Sequence, residues 1–500
     1  MSDYDAIVIG AGNGGLTAAL TLSRRGRKVL LLERHNVPGG CATSFCRGRF
    51  EFEVALHQLS GVGPQSNPGP LRASFQQLGI LDKLDIVIGK GMYRMIVPGS
   101  LDIALPAERS GTIEALKLRF PAEREAIDRF FDLVYALCME WLNVFVLKDP
   151  ESSKEKYPLL FHYRLKDSQG VLDSFFQDPL LKLTLGIYWL YIGHPPSRLS
   201  FFYLALLLFI FLDFKPGHLK GGSQALSNAL LETFLETGGE VRFNCGAKRI
   251  LVDKGQVRGV VTEKGEEITS DYVISNAGTF TTYVDLIDPE NAPSDDLRFL
   301  GTQRVGPSAF VLYMGLDCEP AALGIHQGAN FICTDPDMDE HYRRMEQLDG
   351  PGATMFSCYD VDDPEFSPEG CCQLAFVTLQ YADPWFSVPP TQYEAVKSRY
   401  AAGMMNLLDK AIPGYRNHIE EMEVATPLTH MRYLHHPGGA IYGADQLPKD
   451  DALFLSPSSS IRGLFFSGAW VTTGGFHSTL DSGMTAANLV DKDMKKGNRR

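Results

Sequence analysis

The residues best suited to chemistry lie in the opening segment of the chain. Gly10, Gly12 and Gly15 form the pattern G-x-G-x-x-G. In such a pattern the first glycine permits a tight turn, the second lets the backbone approach a pyrophosphate, and the third lets a helix pack closely on a strand. Glu33 follows after about 20 residues, where a carboxylate can accept the ribose hydroxyls of a dinucleotide. The spacing therefore predicts dinucleotide binding, without separating NAD from FAD.

Three elements must position these residues. Ala6–Ile9 is a short apolar run of the kind found in buried parallel strands. Leu16–Ser23 has helical spacing, and the N-terminus of such a helix offers unpaired N–H groups and a positive dipole end to phosphates. Val29–Leu32 is a second apolar run that ends at Glu33. This strand–turn–helix–strand order favours a nucleotide site over a plain glycine-rich turn.

Two later glycine motifs extend the predicted site. Gly39 and Gly40 stand in the stretch VPGGCATSF, where a glycine pair lets the backbone run beside a ligand that continues past the pyrophosphate. Near the other end, a predicted strand is followed by Gly468, and a glycine pair ending at Gly475 precedes a helix that begins near Phe476. The N-terminus of that helix can face the pyrimidine end of a flavin, where its dipole favours negative charge on reduction.

Two long apolar stretches predict helices away from the nucleotide site. Residues 122–147 carry large apolar side chains at i, i+3, i+4 and i+7 spacing, which predicts one buried face that includes Phe145. Leu199–Leu212 has no charge, but as a helix it would reach only about 21 Å, short of the about 30 Å bilayer core. It is predicted to be a buried core helix, a tunnel wall for an apolar substrate, or a patch resting on a membrane.

Composition bounds the class of protein. The chain of 500 residues is long enough for two or three domains. Its net charge of −13 disfavours nucleic acid as a partner. Nine scattered cysteines without paired zinc spacings predict no metal site and fit a reduced, cytoplasmic compartment.

With these pieces in order, the sequence resembles the FAD-dependent amine oxidase and phytoene desaturase superfamily. Within it, the chain is most similar to the branch of bacterial phytoene desaturases, carotenoid isomerases and retinol saturases. The resemblance spans nearly the whole chain and rests on the opening unit, VPGGCATSF, FEFEVALHQLSG, KGGSQALSNALLE, DYVISNAG, PGGAIYGADQ and the C-terminal glycine motif.

The resemblance implies one FAD, bound noncovalently. Carried over residue by residue, the implied FAD contacts are Gly10, Gly12, Gly15, Glu33, Arg34, Gly39, Gly40, Ala42, Thr43, Ala247, Gly468, Gly475, Phe476 and His477. Many relatives carry an acidic residue after the C-terminal glycine for a flavin-side hydroxyl. Here Ala469 and Trp470 follow Gly468, which leaves the ribityl contact unassigned.

The resemblance also implies an α/β fold with two interleaved domains. A Rossmann-like FAD-binding domain of the glutathione reductase type would comprise residues 1–70, 216–290 and 456–500. A discontinuous α+β substrate domain would comprise residues 71–215, read as mostly helical, and 291–455, read as a second sheet.

The candidate catalytic residues are His57, His477 and Tyr442. Hydride transfer at a C–C bond leaves or demands a proton at the adjacent carbon, and a histidine that titrates near neutrality is the natural partner. His57 follows the glycine regions, as a histidine does in the retinol saturase-like branch, although a satisfied core histidine is the alternative. His477 could lie at the flavin or cap its helix, and Tyr442 is a weaker candidate of the same kind.

These observations predict an FAD oxidoreductase acting on C–C or C=C bonds of a long apolar polyene or isoprenoid, by desaturation, saturation or isomerisation. The chain shows one dinucleotide fingerprint, so the expectation is a separate electron donor or acceptor, or a reaction without net redox change. Peripheral contact with a membrane is a further expectation. Two alternatives remain: an amine oxidase with an aromatic cage, and a lipid- or prenyl-binding protein on the same fold.

Overall fold

The computed structural model describes residues 2–445 and 456–497. Gln446 of the PGGAIYGADQ stretch, the domain boundary near residue 455 and residues 498–500 lie outside this range. A five-stranded parallel sheet, here called the cofactor sheet, has Ala6–Ile9 at its centre. In spatial order its strands are Leu464–Phe466, Val273–Ser275, Ala6–Ile9, Val29–Leu32 and Glu240–Arg242.

The cofactor sheet confirms the predicted Rossmann-like α/β class. Its strands are short and apolar because helices cover them, and the first helix, Asn13–Ser23, has ten buried residues. That helix packs against Gly222–Glu236 and Phe476–Gly497. Segments far apart in sequence therefore meet at the carboxyl ends of the parallel strands, where ligands bind in open α/β sheets.

A second sheet has seven strands. In spatial order they are Ile419–Ala425, Ser308–Leu316, Cys372–Gln380, Thr354–Ser357, Ala329–Ile332, Gly91–Val97 and Leu101–Pro106. Smaller sheets are formed by Ala247–Asp253, Gln256–Thr262 and Glu267–Thr269, by Ser44–Arg47 with Phe50–Glu53, and by Ile86–Ile88 with Gly217–Leu219.

Residues 71–215 are mostly helical, as predicted, but two strands within this segment belong to the second sheet. Gly91–Val97 and Leu101–Pro106 complete this sheet, and Gly91–Val97 pairs in parallel with Ala329–Ile332. Leu101–Pro106 alternates buried and exposed side chains, which is the period-2 pattern of a strand with one face in solvent. The division into two domains stays a prediction, although these strands join the two segments assigned to the substrate domain.

Most of the helices of eight or more residues lie away from the cofactor sheet. The helices of this length are Asn13–Ser23, Pro70–Leu78, Arg109–Arg119, Arg124–Trp141, Ser168–Phe175, Pro179–Gly186, Phe201–Asp213, Gly222–Glu236, Ser294–Thr302, Tyr393–Ala411, Pro427–Leu434 and Phe476–Gly497.

The helix predicted over 122–147 ends earlier than expected. Regular α-helix runs over Arg124–Trp141 and continues as a π-helical turn over Leu142–Val146. The i→i+5 pattern of a π turn rotates the following side chains away from the face set by a 3.6-residue period. Phe145 is accordingly 59% exposed, so its predicted place on the buried face is wrong.

The strand Ser308–Leu316 shows how the second sheet separates two compartments. Its side chains alternate between two hydrophobic clusters, as the pleat of a strand requires. Phe310 faces the long helix Tyr393–Ala411, with its ring centroid 4.7 Å from that of Tyr400. The odd positions face the opposite way and line a large cavity: Ala309, Val311 and Tyr313.

A buried carboxylate joins the hairpin that ends at Glu53 to the helix Gly222–Glu236. Glu53 Oε2 accepts the Ser223 N–H at 2.6 Å, and Oε1 accepts the Ser223 hydroxyl at 2.6 Å. Oε1 also accepts the N–H groups of Ala55 and Leu56 at 3.0 and 2.9 Å. Burial raises the pKa of Glu53, while these donors oppose that shift. The carboxylate therefore anchors the segment that leads to His57.

We expect Glu53→Ala to lower the free energy of unfolding by about 3 kcal/mol, because it leaves several buried donors without an acceptor. The matched control is Glu51→Ala, two residues earlier in the same strand, where the side chain is exposed. Urea unfolding of the holoprotein measures both variants. Equal stability of the two would show that Glu53 has no anchoring role.

Candidate functional site

One cavity of about 1850 Å³ connects the cofactor sheet with the second sheet. Pockets for a single drug-sized ligand occupy about 300–1000 Å³, so this cavity has room for a dinucleotide and a second molecule. One half is lined by the glycine turns of the cofactor sheet. The other half is lined by the apolar helix Phe201–Asp213 and by the second sheet.

Asn276 lies at the centre of the glycine turns. Its N–H donates to the Ile9 carbonyl at 2.8 Å, which fixes it at the carboxyl ends of two adjacent strands. A Cβ added to Gly12 would lie 2.7 Å from Asn276 Nδ2, and one added to Gly468 would lie 2.7 Å from Asn276 Oδ1. The glycines thus leave no space beside the amide for a side chain. Sequence reasoning identified DYVISNAG as a close-approach segment but missed the role of this asparagine.

The first helix presents an uncapped N-terminus to this half of the cavity. Gly12 is its N-cap residue and has no side chain that could accept a hydrogen bond from the first N–H groups. The first N–H groups of a helix have no intrahelical acceptor, so they are available to a phosphate. Gly10 and Gly12 both line the cavity. This cradle fits a pyrophosphate, as the glycine spacing predicts.

Glu33 forms part of the same wall and is nearly buried. Its Oε2 accepts the Ala11 N–H at 2.6 Å, and its Oε1 accepts the His35 N–H at 2.8 Å. Each carboxylate oxygen has a further lone pair, so both can also accept a ribose hydroxyl. The backbone therefore fixes this carboxylate before a ligand arrives.

The second glycine pair lies beside the first turn. Gly39 N–H donates to the Ala11 carbonyl at 2.8 Å, and Gly12 and Gly39 form an isolated parallel bridge. The helix Gly222–Glu236 holds the rest of the loop, since the Ser227 hydroxyl donates to the Ala42 carbonyl at 2.7 Å. The KGGSQALSNALLE motif thus supports the loop that would follow the cofactor.

The structure brings nearly all of the predicted FAD contacts to the cavity wall. Gly15 is the exception: a Cβ there would overlap the Gly10 carbonyl oxygen, so this glycine allows the helix to pack on the strand. Arg34 lines the cavity and pairs with the exposed Glu263. The other predicted contacts on the wall are Gly10, Gly12, Glu33, Gly39, Gly40, Ala42, Thr43, Ala247, Gly468, Gly475, Phe476 and His477.

The substrate half of the cavity is largely apolar. The helix Phe201–Asp213 buries one side in the core and turns the other side to the cavity, so it is both core helix and cavity wall. Aromatic and aliphatic side chains line this half of the cavity. They include Trp141, Leu142, Leu206, Leu207, Ile210 and Phe214.

His57 lines this cavity, as expected of a residue that meets a substrate. Its Nδ1 lies 3.4 Å from the Tyr359 hydroxyl. Burial lowers the pKa of His57 to about 4, because the protein interior disfavours the charged imidazole. The expectation that His57 titrates near neutrality is therefore wrong, while its catalytic role stays a prediction.

The two other catalytic candidates also line the cavity, and each already has a partner. His477 lies in the first turn of its helix, with Nε2 3.2 Å from Asp481 Oδ2. The Tyr442 hydroxyl donates to the Leu190 carbonyl at 3.1 Å, and burial raises its pKa. Tyr442 is therefore poorly suited to act as a base, because the anionic form is disfavoured.

The sequence analysis did not identify His430, a further histidine on the cavity wall. His430 belongs to the helix Pro427–Leu434, and burial lowers its pKa to about 4. Nothing in the sequence LTHMRYL marks this position, since only the tertiary structure brings the helix to the cavity.

The prediction of no metal site needs one addition. Among the described residues, Asp317, Cys318 and His418 offer ligand atoms that lie within 4.8 Å of one another. They lie where two adjacent strands of the second sheet end and begin, and none of them lines the cavity. The group is therefore separate from the candidate active site.

The fold and the site together define a flavin-type dinucleotide-binding oxidoreductase. Residues 14–491 match the family described as flavin containing amine oxidoreductase, so the chain belongs to that family. It is an FAD-dependent oxidoreductase.

Two curated relatives match along nearly the whole chain. The chloroplastic prolycopene isomerase of Arabidopsis thaliana is 28% identical, over 98% of this chain and 83% of its own length. The all-trans-retinol 13,14-reductase of Danio rerio is 27% identical, over 98% of this chain and 86% of its own. They agree with the carotenoid isomerase and retinol saturase branch that the motifs resemble.

Solved structures show the same fold at lower identity. An oxidoreductase from Methanosarcina mazei has a TM-score of 0.64 at 18% identity, covering 97% of this chain and 99% of that one. Cyclohexylamine oxidase from Brevibacterium oxydans has a TM-score of 0.63 at 14% identity, covering 99% and 100%. A Rab GDI from Plasmodium falciparum has 0.55 at 12%, covering 98% and 97%.

We expect Gly12→Val to reduce FAD affinity by about 10- to 100-fold, because the side chain would displace Asn276 and occupy the phosphate cradle. The control is Gly350→Val, since a Cβ there meets nothing within 4 Å. FAD titration of apoprotein measures affinity, and circular dichroism verifies that each variant folds. Wild-type affinity in a folded Gly12→Val protein would exclude this placement of the pyrophosphate.

Proposed function

We propose that this enzyme acts on C–C or C=C bonds of a long apolar polyene or isoprenoid. The observation that carries the proposal is the single cavity that runs from the dinucleotide cradle to a wall of apolar side chains. The names of the two relatives, a prolycopene isomerase and a retinol reductase, support the same substrate class.

The residues divide the work between two halves of the cavity. The glycine turns, Asn276 and Glu33 would hold FAD, which supplies hydride transfer when bound. The apolar helix and the second sheet would position the polyene and exclude water. We infer that electrons pass to or from a separate partner.

An amine oxidase remains the alternative within the family. Its aromatic cage could come from Tyr442, Trp470 and Phe476, which all line the cavity. The Trp470 ring, however, is buried and packs edge-on against Phe280 and His436, with centroid distances of 5.3 and 5.7 Å. That packing favours a structural role for Trp470 over a place in an open cage.

We expect the holoenzyme to convert prolycopene or all-trans-retinol and to produce no peroxide from putrescine or cyclohexylamine. The polyene is mixed anaerobically with reduced or with oxidised enzyme, and the products are separated by chromatography. The state of the flavin then distinguishes saturation, desaturation and isomerisation. Saturation would reoxidise the reduced flavin, desaturation would reduce the oxidised flavin, and isomerisation would leave its net state unchanged. Peroxide from amines without any change in polyenes would favour the amine oxidase.

A Leu207→Asp variant tests the apolar wall itself. We expect it to retain FAD but to lower polyene turnover at least about tenfold, because it places a charge in the apolar half of the cavity. The control is Leu118→Asp, at a side chain that is 79% exposed and does not line the cavity. Unchanged turnover in Leu207→Asp would show that the polyene does not bind in this half of the cavity.

We also propose peripheral contact with a lipid surface. The expected patch at Leu199–Leu212 is mostly packed inside the protein, and only Tyr203 of that helix is exposed. One group of exposed apolar residues lies instead at the π-helical turn and adjoins the cavity through Val146 and Tyr203. This mouth patch comprises Phe145, Val146, Leu147 and Tyr203. Such a patch would let an insoluble substrate pass from lipid to cavity without crossing water.

No helix in the described part of the chain is long and apolar enough to cross a membrane. Contact through the mouth patch would therefore be interfacial. Insertion of each large apolar side chain contributes about 1.5–3 kcal/mol.

We expect Phe145→Asp and Leu147→Asp each to reduce co-flotation with liposomes by about tenfold or more. Both side chains are well exposed, at 59% and 72%, so the substitutions should leave the fold intact. Leu118→Asp again serves as the control, because it changes an equally exposed leucine on another helix. Equal flotation of all variants and wild type would exclude the mouth patch as the lipid contact.

A further inference from the structure

The hydrogen-bond partner of His57 determines which chemistry this histidine can do. We propose that Tyr359 is a positioning residue that holds His57 with its proton on Nε2, so that His57 faces the cavity as a hydrogen-bond donor. The inference rests on the proposed function for its use in the reaction, but its geometry rests on the contacts around these two side chains alone.

The backbone around His57 is fixed on both sides. Leu56 N–H donates to the buried Glu53 carboxylate at 2.9 Å. Leu59 N–H donates to the Gly217 carbonyl, and Gly217 N–H donates back to the Leu59 carbonyl, both at 2.8 Å. The imidazole therefore has a defined place on the cavity wall.

The ring of Tyr359 is fixed as firmly. It follows the strand Thr354–Ser357 of the second sheet and is buried. The His218 ring lies 5.6 Å from it at a tilt of 32°, and the Phe366 ring lies 4.7 Å from it at 41°. His218 in turn lies 3.4 Å from the buried Asp363 carboxylate. The phenol can therefore hold one orientation toward His57.

The protonation state of Tyr359 determines the direction of its hydrogen bond with His57. Burial raises the pKa of Tyr359 well above its usual value, and the nearby Glu53, Tyr313 and Tyr191 raise it further, so the hydroxyl keeps its proton. Within residues 2–445 and 456–497, the hydroxyl has no hydrogen-bond partner other than His57 Nδ1. The O–H therefore donates to Nδ1.

A neutral imidazole has one N–H and one lone pair. When Tyr359 engages the lone pair on Nδ1, the proton must be on Nε2, which is the nitrogen left for the cavity. Burial keeps the ring neutral by lowering its pKa. His57 can then donate to a substrate but has no free lone pair with which to abstract a proton. Desaturation, in contrast, needs a base that accepts the proton from the carbon next to the one that loses hydride.

Nitrogen NMR of ¹⁵N-histidine-labelled holoenzyme tests the tautomer directly. The His57 signals are those missing from the His57→Gln spectrum. At pH 7 we expect the Nε2–H tautomer, and no protonation until the pH falls toward 4. An Nδ1–H tautomer or an imidazolium at pH 7 in the wild type would overturn the proposal without any variant of Tyr359.

Tyr359→Phe should change the tautomer from mainly Nε2–H to a mixture, and should lower kcat for a polyene about two- to tenfold with little change in KM. The matched control is Tyr313→Phe, which removes a buried hydroxyl that donates to the Val54 carbonyl at 3.1 Å. It should leave the His57 tautomer unchanged. An unchanged tautomer in Tyr359→Phe would overturn the positioning role. If neither the wild type nor any variant turned over a polyene, that result would count against the proposed function only.

Discussion

The close approach of several backbone segments around Asn276 is the constraint on which the rest of the structure depends. The turns at Gly12 and Gly468 come from opposite ends of the chain, and both pass within reach of this one amide. Any side chain at either position would need the amide to move. The parallel strands therefore have to end together, and this brings the uncapped helix N-terminus, the second glycine pair and the C-terminal helix to one edge of the sheet.

The second constraint is the alternation of side chains in the second sheet. Because the strand Ser308–Leu316 is buried on both faces, one face can serve as a conventional core while the other forms the cavity wall. The helix Phe201–Asp213 does the same from the other side. The proposed apolar substrate site is therefore built from surfaces that would otherwise be core, and the mouth patch beside it includes Phe145, which the π-helical turn exposes.

Two buried carboxylates illustrate how the same group serves different purposes. Glu33 accepts two backbone N–H groups at the cavity wall and keeps acceptor capacity for a ribose. Glu53 accepts four donors away from the cavity wall and holds the segment before His57. Their surroundings separate the roles: the first carboxylate remains open to a ligand, and the second is fully engaged by the protein.

Local sequence patterns determined the cofactor half of this protein. The strands Ala6–Ile9 and Val29–Leu32, the glycine turns and the start of the C-terminal helix at Phe476 follow from short-range signals: apolar runs, glycine spacing and helix propensity. The long helix Tyr393–Ala411 could be predicted for the same reason. The tertiary structure decided what those signals do not encode. It places Gly91–Val97 and Leu101–Pro106 in a sheet with strands that are distant in sequence, and it exposes Phe145 to solvent.

The tertiary structure also decided the chemistry around His57. The sequence identified His57 as a candidate, but its partner Tyr359 is distant in the chain. The stretch FEFEVALHQLSG contains Glu53, yet nothing in it indicates that this carboxylate is buried and holds the backbone before His57. A histidine's pKa and tautomer depend on burial and on the atom that its ring nitrogens meet. Both properties arise only when the hairpin ending at Glu53 packs against the second sheet. Sequence alone could therefore name the residue, and only the folded chain could show the burial that lowers its pKa.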